Sequence, residues 1–291
     1  MQITLSATPP FSLPSVIRSH GWIQLAPFHE DEITGDFSCI VHLESKKVIE
    51  LRVQSESGGI IVTINDALPA AEVQAVREII SWMLDLDRDF STFYNLASQE
   101  PKLAQAAARA QGRILRSPTL FEDVVKTILT TNTLWAATIR MNNNLVQQFG
   151  SPLPADTTRH AFPTPGQLAA TNEETLRLQT RLGYRAPYIL QLARSVDSGE
   201  LDLESLKKTN LPTSELRKKL LAIKGIGDYA AANLLMLLGH YDFIPVDSWA
   251  LKMVSNEWYG GAPVGRAEVE AAFEHWGQWQ GLAYWLWDWS G

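Results

Sequence analysis

Apolar and polar residues alternate with a period of two in several segments between residues 22 and 65. Such alternation predicts half-buried strands, because successive side chains of a strand point to opposite faces of the sheet. The predicted strands are Trp22–Leu25, Phe37–Leu43, Val48–Val53 and Gly59–Ile64. Short polar and glycine-containing segments separate them, as turns do. The first third of the chain is therefore predicted to be a small antiparallel meander.

From residue 70 onward the apolar spacing changes to three or four residues, which predicts amphipathic helices. The predicted helical segments are Ala70–Leu86, Lys102–Gln111, a helix from Ser117 to Asn132, Trp135–Phe149, Gln167–Ala170, Glu173–Leu182 and Tyr188–Val196. Ser117 is the predicted N-cap, with Pro118 in the first turn. A Pro- and Thr-rich loop is predicted over residues 152–165. The pattern predicts an α+β fold, with a β-rich N-terminal domain over residues 1–99 and a helical domain over residues 100–291.

A glycine hairpin between two helices is the most informative motif of the chain. It comprises Lys224, Gly225, Ile226 and Gly227, and the second helix follows at once. Glycine permits the positive φ angles of a tight turn and the close approach of a ligand. The unpaired N–H groups that begin the second helix form a small anion site. Phosphate binding is one interpretation, and a helix–turn–helix without a ligand is the other.

One acidic residue, Asp247, follows that second helix in the segment Pro245-Val-Asp-Ser248. Its position predicts an N-cap for a new helix, since Asp is among the preferred N-cap residues. A second interpretation makes it a carboxylate at the edge of a cleft, about one helix beyond the hairpin. The two roles are compatible.

Composition places the chain among globular proteins, since 45% of its 291 residues are hydrophobic. No apolar run approaches the roughly 18 residues that would span a membrane. The N-terminus has neither a basic start nor an apolar signal core, so we expect an intracellular protein. The single cysteine, Cys39, excludes a Cys-ligated metal or iron–sulfur centre. Cys39 is predicted to be a buried strand residue.

Charge is distributed unevenly along the chain. Residues 1–100 contain 6 Lys or Arg against 14 Asp or Glu, whereas the remainder contains 19 against 18. Between residues 203 and 224 six bases oppose two acids. The bases are Lys207, Lys208, Arg217, Lys218, Lys219 and Lys224. This basic segment leads into the hairpin and suits an edge that faces phosphates, although a solvated helix face explains it equally well.

The hairpin together with Asp247 resembles the helix–hairpin–helix (HhH-GPD) DNA glycosylase superfamily, in its 8-oxoguanine and 3-methyladenine branches. Two further segments add to the resemblance, residues 182–188 and residues 117–132. The β-rich first third is similar to the extra domain of those branches. The resemblance implies that the helical part is a two-lobed glycosylase domain whose hairpin residues Lys224–Gly227 contact the DNA backbone.

The resemblance also implies the chemistry. Glycosylases of this superfamily flip a damaged nucleotide into a pocket and break its N-glycosidic bond. Asp247 would stabilise the oxocarbenium-like sugar electrostatically. The lysine that forms a Schiff base in bifunctional members is replaced here by Tyr229. We therefore expect a monofunctional enzyme that leaves an abasic site and acts on an alkylated or otherwise modified purine. Tyr229, Trp249 and Trp135 are the predicted aromatic faces of the base pocket.

Asn132, Tyr184 and Arg185 match the positions that, in the 8-oxoguanine branch, contact the strand opposite the lesion or fill the gap left by the base. Tyr184 as a wedge competes with an ordinary place in the core, and Arg185 as a DNA contact competes with a surface position. Two departures weaken the match to cytosine recognition, since Ala137 and Trp249 replace an expected arginine and histidine. The remaining C-terminal tryptophans are predicted to be packing residues. They are Trp276, Trp279, Trp285, Trp287 and Trp289.

The expected partner is double-stranded DNA with a damaged base, bound by a monomer without membrane contact. The resemblance therefore implies a cytoplasmic protein associated with the nucleoid or, in a eukaryote, a nuclear one. No resident cofactor is expected, because the six histidines are scattered; the resemblance leaves room for a monovalent cation on hairpin carbonyls. Two alternatives remain open. The first alternative to a monofunctional glycosylase is a bifunctional 8-oxoguanine-type glycosylase/lyase, which Tyr229 disfavours. The second is a non-catalytic helix–hairpin–helix DNA binder, which Asp247 disfavours.

Overall fold

The computed structural model describes residues 1–287 and divides the chain into two compact units. Unit 1 comprises residues 1–89 and 113–208, and unit 2 comprises residues 90–112 and the chain from residue 209. The boundary expected near residue 100 followed the change from strands to helices. The division in space follows contacts instead, and the helices of residues 113–208 belong to the same unit as the sheet.

Unit 1 contains a five-stranded antiparallel sheet. The strands are β1 (Gln2–Ser6), β2 (Phe28–Glu30), β3 (Phe37–His42), β4 (Val48–Glu56) and β5 (Gly59–Thr63). Their order across the sheet is β1-β5-β4-β3-β2. The predicted meander is thus confirmed for three strands. Cys39 is buried on β3 opposite Leu51, as predicted. The first strand was not predicted because it pairs across the sheet with β5, far along the chain.

Along the chain, one helix of unit 1 lies between β1 and β2, and the other helices follow β5. They are α1 (Leu13–Ile17), α2 (Ala70–Leu84), α4 (Leu120–Thr130), α5 (Trp135–Phe149), α6 (Pro165–Ala169), α7 (Glu173–Thr180) and α8 (Ala186–Asp197). Short 3-10 helices occur at Gly21–Gln24, Gly183–Arg185 and Glu204–Lys208. A two-stranded hairpin, β6 (Pro152–Leu153) and β7 (Asp156–His160), packs Leu153 with Ile40 and Val48 of the sheet.

A buried charged side chain also links distant segments of unit 1. The Arg113 guanidinium, 2% exposed, donates to the backbone carbonyls of Thr8, Pro10, Asp85 and Arg88. Since hydrogen bonds to charged groups are among the stronger ones, this side chain fixes the N-terminal segment to the end of α2.

Unit 2 is helical. Its helices are α3 (Ser91–Ala97), α9 (Thr213–Leu221), α10 (Asp228–Leu237), α11 (Ser248–Trp258), α12 (Arg266–Phe273) and α13 (Gln280–Leu286), with a 3-10 segment at Glu274–Trp279. The core contains Trp276, Trp279 and Trp287, each at most 6% exposed. The packing role predicted for these three tryptophans is confirmed, and Trp289 lies outside the described residues.

Four local predictions were wrong. Trp22–Leu25 is not a strand, because the Trp22 indole donates to Asp123 from a 3-10 turn. Residues 102–111 form successive turns rather than an α-helix, and they bury Leu103, Ala106 and Ala110. The loop predicted over residues 152–165 contains the β6–β7 hairpin. Helix α4 begins after Thr119, whose hydroxyl accepts the Glu122 N–H, so Ser117 is not its cap.

None of the helices in residues 1–287 combines the length and apolarity required to cross a membrane.

Candidate active site

The predicted hairpin joins α9 to α10 within unit 2. Gly225 has φ +93°, a conformation that favours glycine over residues with a Cβ. The Ile226 N–H donates to the Ile223 carbonyl at 3.0 Å, and the Ile226 side chain is 6% exposed. Gly227 is the N-cap of α10 and offers no side-chain hydrogen bond to the first turn. The turn is thus fixed by an apolar side chain, and the first N–H groups of α10 remain for an outside acceptor.

The charges around the hairpin are only partly those expected. Lys218, Lys219 and Lys224 are exposed in unit 2, as a phosphate-facing edge requires. Arg217 instead forms an ion pair with Asp228 and lies 5.0 Å from the centre of the Phe243 ring. Lys207 belongs to unit 1, where its ammonium group donates to the Pro118 carbonyl and pairs with Glu204. Two bases of the predicted segment, Lys207 and Arg217, are therefore engaged in ion pairs within the protein.

Asp247 is the N-cap of α11. Its Oδ1 atom accepts the backbone N–H groups of Trp249 at 3.0 Å and Ala250 at 2.8 Å. Within residues 1–287 the Oδ2 atom has no hydrogen-bond partner. The capping role predicted for Asp247 is confirmed, and it leaves one carboxylate oxygen for a ligand.

A cavity of about 250 Å³ lies in unit 2 beside this carboxylate. That volume is slightly below the roughly 300–1,000 Å³ of small-molecule sites and suits a single base. One face of α10, the loop before α11 and one face of α13 form its walls. The lining residues are Tyr229, Ala232, Asn233, Met236, Pro245, Asp247, Trp249, Gly281, Tyr284 and Trp285. The structure therefore brings the predicted catalytic residue Asp247 together with two of the three residues predicted for the base pocket, Tyr229 and Trp249.

Trp135 is not among the residues that line this cavity. It begins α5 in unit 1, where its indole donates to Gln24 Oε1 at 2.8 Å. A Cβ at Gly21 would lie only 2.4 Å from the Trp135 ring, so the ring packs tightly on that glycine. Within unit 1 Trp135 therefore packs on Gly21, and its pocket role stays a prediction.

The aromatic walls differ in exposure. Tyr229 is 50% and Trp249 44% exposed, so both offer ring faces to a ligand. Trp249 packs edge-on against Tyr284, with ring centroids 5.3 Å apart. Burial raises the pKa of the Tyr284 phenol, and the nearby charges of Asp247 and Tyr229 raise that pKa further. Tyr284 therefore stays protonated at neutral pH and offers an O–H donor.

Three lining residues were missed at the level of sequence. Asn233 and Tyr284 carried no motif, and Trp285 was assigned to packing although it is half-buried at the cavity. Asn233 follows Tyr229 by four residues, and positions four apart share a helix face. That spacing was the available signal for Asn233.

The backbone around Gly281 fixes the segment that leads to Asp247. The Gly281 N–H donates to the Tyr241 carbonyl at 2.6 Å. A Cβ at Gly281 would lie 2.4 Å from the Phe243 carbonyl oxygen, a distance that no side chain tolerates. The backbone of α13 therefore lies directly against residues 241–243, which precede the loop that carries Asp247.

Unit 1 brings together the other three predicted site residues. Asn132 is exposed and has φ +46° directly after α4. The Arg185 guanidinium donates to the carbonyls of Thr131 and Asn132, and the Tyr184 hydroxyl donates to the Thr131 carbonyl at 3.3 Å. The Tyr184 ring lies over the guanidinium at 4.5 Å. We call residues 131–134 together with Tyr184 and Arg185 the Asn132 cluster.

The exposed fractions within the Asn132 cluster exclude the surface position that was the alternative interpretation of Arg185. Tyr184 is 45% exposed, whereas Arg185 is 6% exposed and directed at backbone carbonyls. Arg185 is therefore placed as a support for the Asn132 turn rather than at the surface. Leu134, which the sequence did not single out, is 80% exposed immediately before α5.

No three His, Cys, Asp or Glu side chains are grouped as metal ligands in residues 1–287.

Comparison with known proteins gives three informative similarities. Residues 125–278 match the HhH-GPD superfamily base excision DNA repair protein family. The DNA-3-methyladenine glycosylase of Bacillus subtilis (strain 168) is 28% identical over 255 residues, which cover 84% of this chain and 82% of that protein. The structure of MBOgg1 in complex with a low-affinity DNA ligand has a TM-score of 0.74 and 27% identity, covering 98% of this chain and 92% of that one.

A fourth similarity concerns fold alone. The apo 8-oxoguanine glycosylase/lyase of Clostridium acetobutylicum has a TM-score of 0.72 at 23% identity, over 99% of this chain and 97% of that one.

Proposed function

The chain belongs to the HhH-GPD superfamily of base excision DNA repair proteins and is a DNA glycosylase, and we propose that it releases a modified purine from duplex DNA and leaves an abasic site. The observation that carries the proposal is the unit 2 cavity, which places the Asp247 carboxylate beside two exposed aromatic faces. A flipped base would stack on Tyr229 and Trp249 while its sugar stays near the acid.

Asp247 is proposed as the catalytic residue. As the glycosidic bond lengthens, positive charge develops on the sugar, and a fixed carboxylate stabilises that charge. Oδ1 is held by two backbone N–H groups, so Oδ2 is the oxygen that faces the reaction. The same oxygen is suited to accept a proton from an attacking water. The purine leaves with the electrons of the glycosidic bond and takes up a proton. The water oxygen bonds to the C1′ atom of the sugar as its proton passes to Oδ2.

No lysine among residues 1–287 lines the cavity, which supports a monofunctional reaction. A Schiff base requires an amine at the reacting sugar carbon, and the position following Asp228 on α10 is Tyr229. We expect strand breaks only after alkali treatment. Borohydride trapping of a covalent complex with DNA would contradict this and favour the glycosylase/lyase alternative.

DNA binding is proposed to involve two surfaces, one in each unit. The hairpin of unit 2 offers the first N–H groups of α10 and exposed lysines to phosphates. The Asn132 cluster of unit 1 offers Asn132, Leu134 and Tyr184 to the bases. Phosphate contacts position a protein on the duplex without specifying sequence, which suits an enzyme that searches for rare lesions.

A monovalent cation at the hairpin also remains a proposal. Residues 222–227 include no side-chain oxygen, so only backbone carbonyls would hold the cation. The Ile223 carbonyl already accepts the Ile226 N–H and keeps one lone pair. These carbonyls would hold such an ion, which would supply positive charge near a phosphate, and none of the steps above depends on it.

The test uses duplexes that each carry one lesion, namely hypoxanthine, 1,N6-ethenoadenine, 8-oxoguanine or uracil, together with methylated DNA. We expect base release from at least one purine lesion. Asp247→Asn should lower that release at least about 100-fold, the magnitude typical of a lost electrostatic contact in a transition state. Folding should be retained, because Asn is also a good N-cap.

Asp87→Asn, at an exposed carboxylate of unit 1, is the charge-matched control and should leave release unchanged. Full release by Asp247→Asn would remove this residue from the mechanism. Binding of lesion DNA without release of any base would favour the non-catalytic binder.

A further inference from the structure

Asp228 is an acidic residue at the place where the hairpin is proposed to meet DNA. It is the first residue of α10, directly after the N-cap Gly227, and its side chain is 79% exposed. The positive end of a helix attracts any anion, so this carboxylate and a DNA phosphate favour the same place. Two anions side by side repel each other. Asp228 therefore opposes phosphate binding unless a cation neutralises it.

Arg217 of α9 is that cation. Its guanidinium forms an ion pair with Asp228 Oδ1. The guanidinium carbon also lies over the Phe243 ring, 5.0 Å from the ring centre, and the side chain is only 28% exposed. The aromatic contact does not involve Asp228 and is itself attractive. Arg217 is therefore held beside the first turn of α10 by more than its acidic partner.

Arg217 has more hydrogen-bond donors than Asp228 uses. An arginine side chain carries five N–H groups. Within residues 1–287 the Arg217 Nη2 group donates to Asp228 Oδ1, and the buried Nε–H has no partner. Guanidinium groups bind phosphate well, often through two N–H groups at once, whereas an ion pair with an exposed carboxylate adds little to stability. Asp228 and a phosphate thus compete for one guanidinium as well as for one helix end.

We propose that Asp228 is an internal competitor of DNA, which lowers the affinity of the hairpin for the phosphate backbone by pairing with Arg217. This inference rests on the proposed function, because it concerns the surface through which the hairpin contacts DNA. Phosphate contacts carry no sequence information, so the competition weakens binding of damaged and undamaged duplexes alike. Undamaged DNA is released sooner, while a lesion is still held through its base in the unit 2 cavity.

The test compares Asp228→Asn with the wild-type chain for binding of an undamaged duplex, by fluorescence anisotropy over a series of salt concentrations. At fixed salt we expect the affinity to rise about 10-fold, the equivalent of one charge-assisted hydrogen bond. The slope of log K against log salt should steepen by about 1, because the released Arg217 neutralises one more phosphate. The thermal unfolding temperature should not rise, since an acid in the first turn stabilises α10.

Arg217→Met keeps the apolar stem and removes the charge. It should weaken binding about 10-fold, because the Asp228 carboxylate then lies unneutralised beside the phosphate. The double variant lacks both charges, and its affinity should return to within about 3-fold of the wild-type value. Glu270→Gln makes the same change in net charge and breaks a similar pair with Arg266 on α12. This control should change the affinity less than about 2-fold.

Weaker binding by both single variants would mean that the ion pair only holds the hairpin in shape, and would overturn the proposal. Equal strengthening by Glu270→Gln would overturn it as an effect of net charge alone. Unchanged affinity of Asp228→Asn would also overturn it, and base release from lesion duplexes would then leave the proposed glycosylase activity intact. A wild-type chain that neither bound duplex DNA nor released a base would instead overturn the proposed function, and this inference with it.

Discussion

The Asp247 carboxylate is held in one orientation by the helix that it begins. Two N–H groups of the first turn of α11 donate to Oδ1, and the partial positive charge of that helix end favours an anion there. A side chain fixed in this way needs little reorganisation when charge develops nearby, which is how electrostatic stabilisation becomes effective. The structural and chemical roles therefore reinforce each other at this residue.

Arg185 illustrates a residue whose position favours support over contact. Its buried guanidinium donates to the carbonyls of Thr131 and Asn132. These two hydrogen bonds hold Asn132 in its left-handed conformation. Arg185→Leu should destabilise the chain by about 2 kcal/mol, because it leaves those carbonyls without a charged donor. It should also weaken binding of duplex DNA through the disordered turn. Urea unfolding and fluorescence anisotropy measure the two effects.

Tyr184→Phe is the matched comparison, since it removes a single hydrogen bond of 3.3 Å and keeps the ring over the guanidinium. Its effect on stability should be under about 1 kcal/mol. If Arg185→Leu weakened DNA binding with no loss of stability, the guanidinium would contact DNA directly and the supporting role would be wrong.

The turn between α4 and α5 shows how an element can present side chains without burying them. Thr131 and Asn132 follow α4, and Leu134 precedes α5 with 80% of its surface exposed. A large apolar side chain at such a tip has nothing to pack against in the part of the chain described. Insertion between bases is a common use for such a side chain, since unstacking a base pair opens apolar surface.

Leu134→Ala should therefore lower base release from duplex DNA about 10-fold, while release from single-stranded DNA changes little, because only the duplex has to be opened. Thermal unfolding should be unchanged, since the side chain is exposed. Leu178→Ala, at a 73% exposed leucine of α7, is the control and should change none of these quantities. Equal loss on both DNA forms would exclude insertion.

Elements with strong periodicity were predictable from sequence, and those defined by distant contacts were not. Trp135–Phe149 was predicted with its observed bounds, because local spacing and Gly150 determine both the helix and its end. Residues 102–111 contain five alanines and bury Leu103, Ala106 and Ala110 at the helical spacings of three and four, yet they form successive turns, so local spacing did not distinguish them from a helix. In the candidate site, Asp247 and the hairpin followed from motifs. Asn233 and Tyr284 needed the packing of three helices around the cavity.

At the scale of the whole molecule, the discontinuous units explain why the domain boundary did not follow the sequence. Residues 113–208 belong with the N-terminal sheet, and one reason is visible in single side chains. Arg113 binds four carbonyls of the first 89 residues, and the Trp22 indole donates to Asp123. Hydrogen bonds across about 100 residues of chain leave no local pattern in the sequence. The local sequence of a segment therefore predicts which helices and strands it forms better than it predicts the compact unit to which the segment belongs.

The same long-range burial predicts how the folded chain responds to acid. His20 is 8% exposed, and its Nε2–H donates to the Leu115 carbonyl at 2.7 Å. Burial, with a smaller contribution from the charge of Lys126, lowers the pKa of His20 to about 4 from its ordinary value of 6.5. Because the folded pKa is depressed, stability is present above pH 6.5 and is lost as the pH falls toward 4. The loss from this residue is about 3 kcal/mol.

His20→Gln keeps a donor for the Leu115 carbonyl and removes the titration. We expect the free energy of unfolding of the wild-type chain to fall by about 3 kcal/mol more than that of His20→Gln between pH 7 and pH 4. Urea unfolding at half-unit steps of pH measures both curves, so that all other titrating groups cancel in the difference. Above pH 7 the difference should be constant, because the imidazole is neutral in both the folded and unfolded states. A constant difference over the whole range would mean that His20 takes up its proton within the fold, and that its burial does not limit acid stability.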